Sequence, residues 1–254
     1  MSFLTTPTIA GSAASTTATH PANPSSTPAG QGAERYVLDA PPGSSRGWAW
    51  AGLAAGIGGF AVFLLPGMAL DVPTEAYADN ALVLAELDGK AGWVWAFQAG
   101  TFAVAVLAVI FGVGLRRRLA GQAPAGSLLA DLSALGLLLV AALLLVGGGI
   151  STEMFHALRH PDEVDPDTIG THLALFNTLG WVWAGGILTT GAIAVAGLRH
   201  ASVGKGVARF AAAMTALVTV TQLLPFQYLA VAPVALFLIV CSVSMLRSER
   251  RAGQ

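Results

Sequence analysis

The sequence predicts an all-α polytopic membrane protein, with six transmembrane helices arranged as three hairpins behind a disordered N-terminal tail. Three observations predict it. Only 11% of the 254 residues are charged and 54% are hydrophobic, whereas a typical soluble domain carries roughly 25% charged residues. The hydrophobic residues gather in six long runs. The segments between the runs are alternately acidic and basic, the pattern expected when a chain crosses a bilayer repeatedly.

Residues 1–45 are rich in Ser, Thr, Pro, Ala and Gly and nearly free of aromatics. Such a segment buries too little apolar surface to offset the entropy of ordering it, so a disordered tail is expected. It lacks the Lys/Arg start and early apolar stretch of a signal peptide.

The six runs span about 47–70, 92–115, 127–150, 174–198, 207–224 and 227–246. Each is long enough to cross roughly 30 Å of hydrocarbon at about 1.5 Å per residue, the last two only just. Inside lipid the backbone must satisfy its own hydrogen bonds, and the runs lack the alternation of barrel strands, so they are expected to be helices. Runs five and six are separated only by Pro225 and Phe226. A single helix through both would be too long for one span and would be broken at Pro225, so a tight hairpin is expected there.

Charge fixes the count and the direction. Arg116, Arg117 and Arg118 follow run two; Arg199, Lys205 and Arg209 follow run four; Arg247, Arg250 and Arg251 follow run six. The segments after runs one and three hold Asp71, Glu75, Asp79, Glu86 and Asp88, then Glu153, Asp162, Glu163, Asp165 and Asp167, against Lys90 and Arg159 alone. The positive-inside rule then places the 1–45 tail and the basic 248–254 tail in the cytoplasm, with the six-helix domain over 46–247. The pattern resembles that of small six-helix bacterial membrane proteins, so a plasma (inner) membrane is the expected location and the bilayer the expected partner.

An internal repeat underlies this topology. Gly92–Ala96 (Gly-Trp-Val-Trp-Ala) recurs letter for letter as Gly180–Ala184, with a near copy at Gly47–Ala51. Upstream, Thr74-Glu75-Ala76-Tyr77 is similar to Thr152-Glu153-Met154-Phe155. Helices one–two and three–four therefore read as two copies of one hairpin. The six tryptophans form pairs two residues apart, about 200° around a helix, so no pair makes one stacking face. Tryptophan near span ends is an interfacial anchor, and that role is expected for all six. Gly52 and Gly56 form a small-residue step suited to close helix contact within the chain.

Chemistry-bearing groups are few. Glu153, His156 and His160 stand at i, i+3 and i+7, within about 60° on one helix face if helix three continues past Ile150. Imidazole and carboxylate at that spacing can hold a divalent metal such as zinc. His172 across the acidic loop and Glu75 at the repeat-related position are candidate further ligands. The other reading of this cluster is a solvated helix end. Asp131, the one acid within a span, stands in the first turns of helix three, where the helix dipole favours an anion. Gln98 in helix two and Asn177 near the outer end of helix four are neutral polar groups within spans, and the two candidates for a small-ligand site opening outward.

Net charge is −1 and no basic reading motif is present, so nucleic acid is not an expected partner. The single cysteine, Cys241, excludes a disulfide scaffold within the chain. No phosphate-binding loop, nucleophile elbow or dinucleotide fingerprint is present, and no catalytic residue is assigned. The expected function is a non-enzymatic membrane protein that binds or transports a small ligand from the outer side. The alternatives are an extracytoplasmic metal-dependent enzyme or metal or proton sensor built on the Glu/His cluster, and a structural subunit of a membrane complex. No cofactor beyond that metal is implied.

Overall fold

A computed structural model describes residues 46–252 of the chain, so the 1–45 tail lies outside the described residues. Those residues contain helices and turns and no strand. Eight α-helices run in chain order: α1 Gly47–Ala69, α2 Asn80–Glu86, α3 Ala91–Ala120, α4 Leu129–Arg159, α5 Pro166–Thr178, α6 Gly186–His200, α7 Lys205–Leu223 and α8 Val231–Ala252. Six segments are long and apolar enough to cross a membrane: α1, α3, α4, the continuous rod Pro166–His200, α7, and Gln227–Ser248. The protein is a polytopic helical membrane protein with six spans in three hairpins.

Consecutive spans are neighbours. α1 packs on α3, α3 on α4, α4 on α6, α6 on α7 and α7 on α8, and α8 closes back onto α1. The closure depends on small residues. A Cβ at Gly52 would collide with Phe111 of α3 and Ser242 of α8, and one at Gly56 with Ile239 and the Ala235 carbonyl of α8. The Gly52/Gly56 step is thus a contact within the chain, as expected for small residues that let backbones approach.

Pro225 ends α7 as expected. Leu224, which precedes it, is extended (ψ 161°), and a short 3-10 turn over Gln227–Ala230 leads into α8. α4 continues past Ile150 as far as Arg159, because its last turns contain neither Gly nor Pro until Pro161. α8 runs to Ala252, so the basic C-terminal segment begins as helix.

Two expectations are corrected. The fourth span begins at Pro166 rather than near 174, so His172 stands on helix α5 and not in a loop. The start signal is local: Asp165 accepts a hydrogen bond from the Asp167 amide at 2.9 Å, with Pro166 as the first helical residue. The second correction concerns the tryptophans. Trp50, Trp93, Trp95 and Trp181 are exposed, as anchors would be, but Trp183 is fully buried. It lies over Gly59, midway along α1, where a Cβ would touch the indole ring. The rod between α5 and α6 narrows to a 3-10 helix over Leu179–Gly185, which swings Trp183 into the ring of spans.

Candidate functional site

The acidic end of the bundle is closed by short elements: a 3-10 turn at Thr74–Ala78, α2, the end of α4, a turn at Pro161–Glu163, and α5. α2 is started by Asp79, whose carboxylate accepts from the Ala81 amide at 2.9 Å. Two side-chain bonds tie the first hairpin's cap to the second's. Asn80 Nδ2 donates to Asp167 Oδ1 at 2.8 Å, and Asn177 Nδ2 donates to the Tyr77 hydroxyl at 3.2 Å.

Below the cap, aromatic rings fill the ring of spans. Phe97 and Phe176 have centroids 4.6 Å apart, Phe63 meets Phe97 edge-on at 5.2 Å, and Phe63 meets Trp183 edge-on at 6.2 Å. Such tilted and edge-to-face contacts are favourable ring geometries. An apolar crevice beside them, bordered by Thr101, Leu144 and Gly147, has no room for a water molecule.

The polar groups deeper in the spans are mostly spent on internal bonds. Thr101 donates to the Gln98 carbonyl, Ser151 to the Gly147 carbonyl, and Ser133 to the Ala130 carbonyl. Thr189 of α6 donates to the Ser133 carbonyl of α4 at 2.9 Å, and Thr215 of α7 to the Thr190 hydroxyl at 2.9 Å. These are helix-to-helix bonds. Among the described residues, Trp183 Nε1, Gln222 Nε2 and Ser242 Oγ are buried without a hydrogen-bond partner.

Gln98 and Asn177 each follow one member of the Phe97–Phe176 pair, which brings them to the same level of the bundle. Gln98 is half-buried, and its side-chain amide makes no hydrogen bond among the described residues. Asn177 is exposed and held by Tyr77. Tyr77 was missed as a site residue; its only signal in the sequence was its place in the repeated Thr-Glu-x-aromatic stretch.

Glu153, His156 and His160 lie on one continuous helix, as their spacing requires. The two imidazoles face each other with centroids 4.5 Å apart, and His160 Nδ1 donates to the His156 carbonyl at 3.2 Å. His172 spends its Nδ1 in the same way on the Thr168 carbonyl at 2.8 Å. Glu75 and Glu153 are exposed. Among the described residues no three His, Cys, Asp or Glu side chains gather closely enough to hold a metal ion. At the opposite end, Asp131 is in an ion pair: Arg116 Nε donates to its Oδ1 at 2.7 Å.

The fold and the placement of these groups define a multi-pass integral membrane protein with a plugged core and a polar, acid-rich cap. No family model, curated protein or solved structure matches the chain.

Proposed function

We propose that the protein is a non-enzymatic plasma-membrane protein, with both termini cytoplasmic, that binds a small ligand from the outer side at the cap rather than conducting it through the bundle. The observation that carries this reading is the Asn177–Tyr77 bond standing outside the Phe97–Phe176 contact. It leaves amide and phenol groups at the surface over a core filled by aromatic rings. The orientation rests on the arginines that follow spans two, four and six. The test is a thermal-shift screen of the purified protein against small polar ligands. A ligand that stabilises the wild type should lose its effect in Gln98→Leu and Asn177→Leu. Unchanged stabilisation in both variants overturns the reading.

The facing His156 and His160 rings favour a second reading, a two-imidazole site for a divalent metal with Glu153 one turn away. Elemental analysis of the purified protein beside the His156→Ala/His160→Ala variant decides it. Metal in the first and not the second supports it; equal content in both refutes it.

A further inference from the structure

The arginine-bearing end of the bundle carries a second site, independent of the cap. On α3, Val109, Val113 and Arg116 stand at i, i+4 and i+7; on α4, Asp131, Leu135 and Leu138 do the same. Residues at these spacings share one helix face. The two stripes line an open groove of about 520 Å³, with Ala134 as the small residue between them. Val113, Leu135 and Leu138 are exposed on the outside of the bundle, where the neighbouring medium is acyl chain. An apolar recess of this kind takes up hydrocarbon, since water has too few polar partners there.

One end of the groove is charged. The Arg116 guanidinium has five donors, and the bond to Asp131 uses Nε. The terminal amino groups have no partner among the described residues, so the fork that suits a phosphate remains open. Asp131 lies in the first turn of α4, where the helix N-terminus favours its charge, and its carboxylate holds Arg116 by Nε. Arg117 beside it is exposed, whereas Arg118 turns away to the Ser248 hydroxyl at 3.1 Å. Arg116 and Asp131 are therefore the charged residues that line the groove, and the guanidinium's terminal amino groups are its open donors. Val109, seven residues from Arg116, is about 10 Å deeper along the helix, within reach of a lipid's first methylenes.

We propose that this groove binds one anionic phospholipid. An acyl chain lies along Val113, Leu135 and Leu138, the headgroup phosphate sits on the Arg116 fork, and Asp131 acts as the positioning residue. A lipid, rather than a soluble anion, is the occupant because the charged mouth is continuous with an apolar trough.

The test is native mass spectrometry of the full chain, solubilised with equal amounts of phosphatidylglycerol and phosphatidylcholine of the same acyl chains. The wild type should retain phosphatidylglycerol about tenfold over phosphatidylcholine, because both offer the fork a phosphate but the trimethylammonium of phosphatidylcholine is repelled by the guanidinium and offsets that attraction. The double variant Arg116→Gln/Asp131→Asn leaves a neutral hydrogen-bonding pair in place and should bring the ratio to about one. Ala134→Leu, which fills the trough but keeps the charges, should lower retention of both lipids. Arg209→Gln, an exposed arginine on a helix that does not line the groove, should leave the ratio as in the wild type. Equal retention of the two lipids by the wild type overturns the proposal. So does a fall in the ratio as large in Arg209→Gln as in the double variant, which would mark a general attraction to basic surface.

Discussion

The pentapeptide Gly-Trp-Val-Trp-Ala occurs at Gly92–Ala96, where it opens α3, and at Gly180–Ala184, where it forms most of a 3-10 helix. In both places the central valine, Val94 or Val182, is buried. The tryptophans differ. Trp93 and Trp95 are both exposed, at 45% and 58%, whereas Trp181 is 44% exposed and Trp183 is 0%. The helix type accounts for it. In an α-helix the two tryptophans fall on either side of the valine and both miss the core. At three residues per turn, positions i and i+3 eclipse, so Leu179 stacks with Val182 and Gly180 with Trp183. Those four are the buried residues of the segment. The neighbours impose the switch. Gly180 lies against the Tyr228 carbonyl and Trp183 over Gly59, whereas the matched Gly92 faces open space and the matched Trp95 is exposed. Local sequence therefore offers both conformations, and tertiary contacts choose.

The upstream stretches diverge in the same way. Thr74–Ala78 is a 3-10 turn in the first hairpin, while Thr152–Phe155 lies inside α4. What reads as a repeated hairpin thus differs in backbone conformation at both copied stretches.

The largest expected effect tests that comparison directly. Trp183→Ala should destabilise the protein by about 3 kcal/mol, at the low end for truncating a buried aromatic, because lipid receives the indole in the unfolded state almost as well as the core does. Trp95→Ala, the matched position in the first copy, should cost under ~0.5 kcal/mol. Thermal unfolding in one detergent compares the two, and equal losses would break the distinction.

The glycines sharpen it. Gly180→Ala drives a methyl into the Tyr228 carbonyl and should cost about 1–3 kcal/mol. Gly92→Ala meets open space and should be neutral or stabilising by up to ~1 kcal/mol, since alanine favours the helix. Thr189→Val removes the bond that holds α6 to α4 just after the second copy. It should cost about 1 kcal/mol in the same assay. The smallest effect is at the cap: Tyr77→Phe loses one exposed hydrogen bond to Asn177 and should shift stability by under ~0.5 kcal/mol. A loss as large as that of Trp183→Ala would make the cap, not the aromatic plug, the element that holds the hairpins together.

Much of the fold was legible because lipid imposes it. Six apolar runs became six spans, and Pro225 separated the last two, since a backbone in hydrocarbon has few conformations open to it. The candidate site was legible only in part. The spacing of Glu153, His156 and His160 foretold their common helix, because α4 runs on past Ile150. Helix α5 went unread, since the start given by Asp165 and Pro166 lies in an acidic stretch that resembles a loop. Asn177's partner Tyr77 is 100 residues away, and the Arg116–Asp131 pair joins two helices across a turn, so neither pairing has a local signal.

By itself the sequence determined the medium, the number of crossings and the placement of charge at their ends, because these follow from transfer free energies that each segment carries alone. The tertiary structure decided which tryptophan enters the core, which polar groups stay at the surface, and where two helices leave a groove with an arginine at its mouth. Those outcomes depend on contacts between residues far apart in the chain, and identical five-residue sequences with opposite fates show that no local reading could supply them.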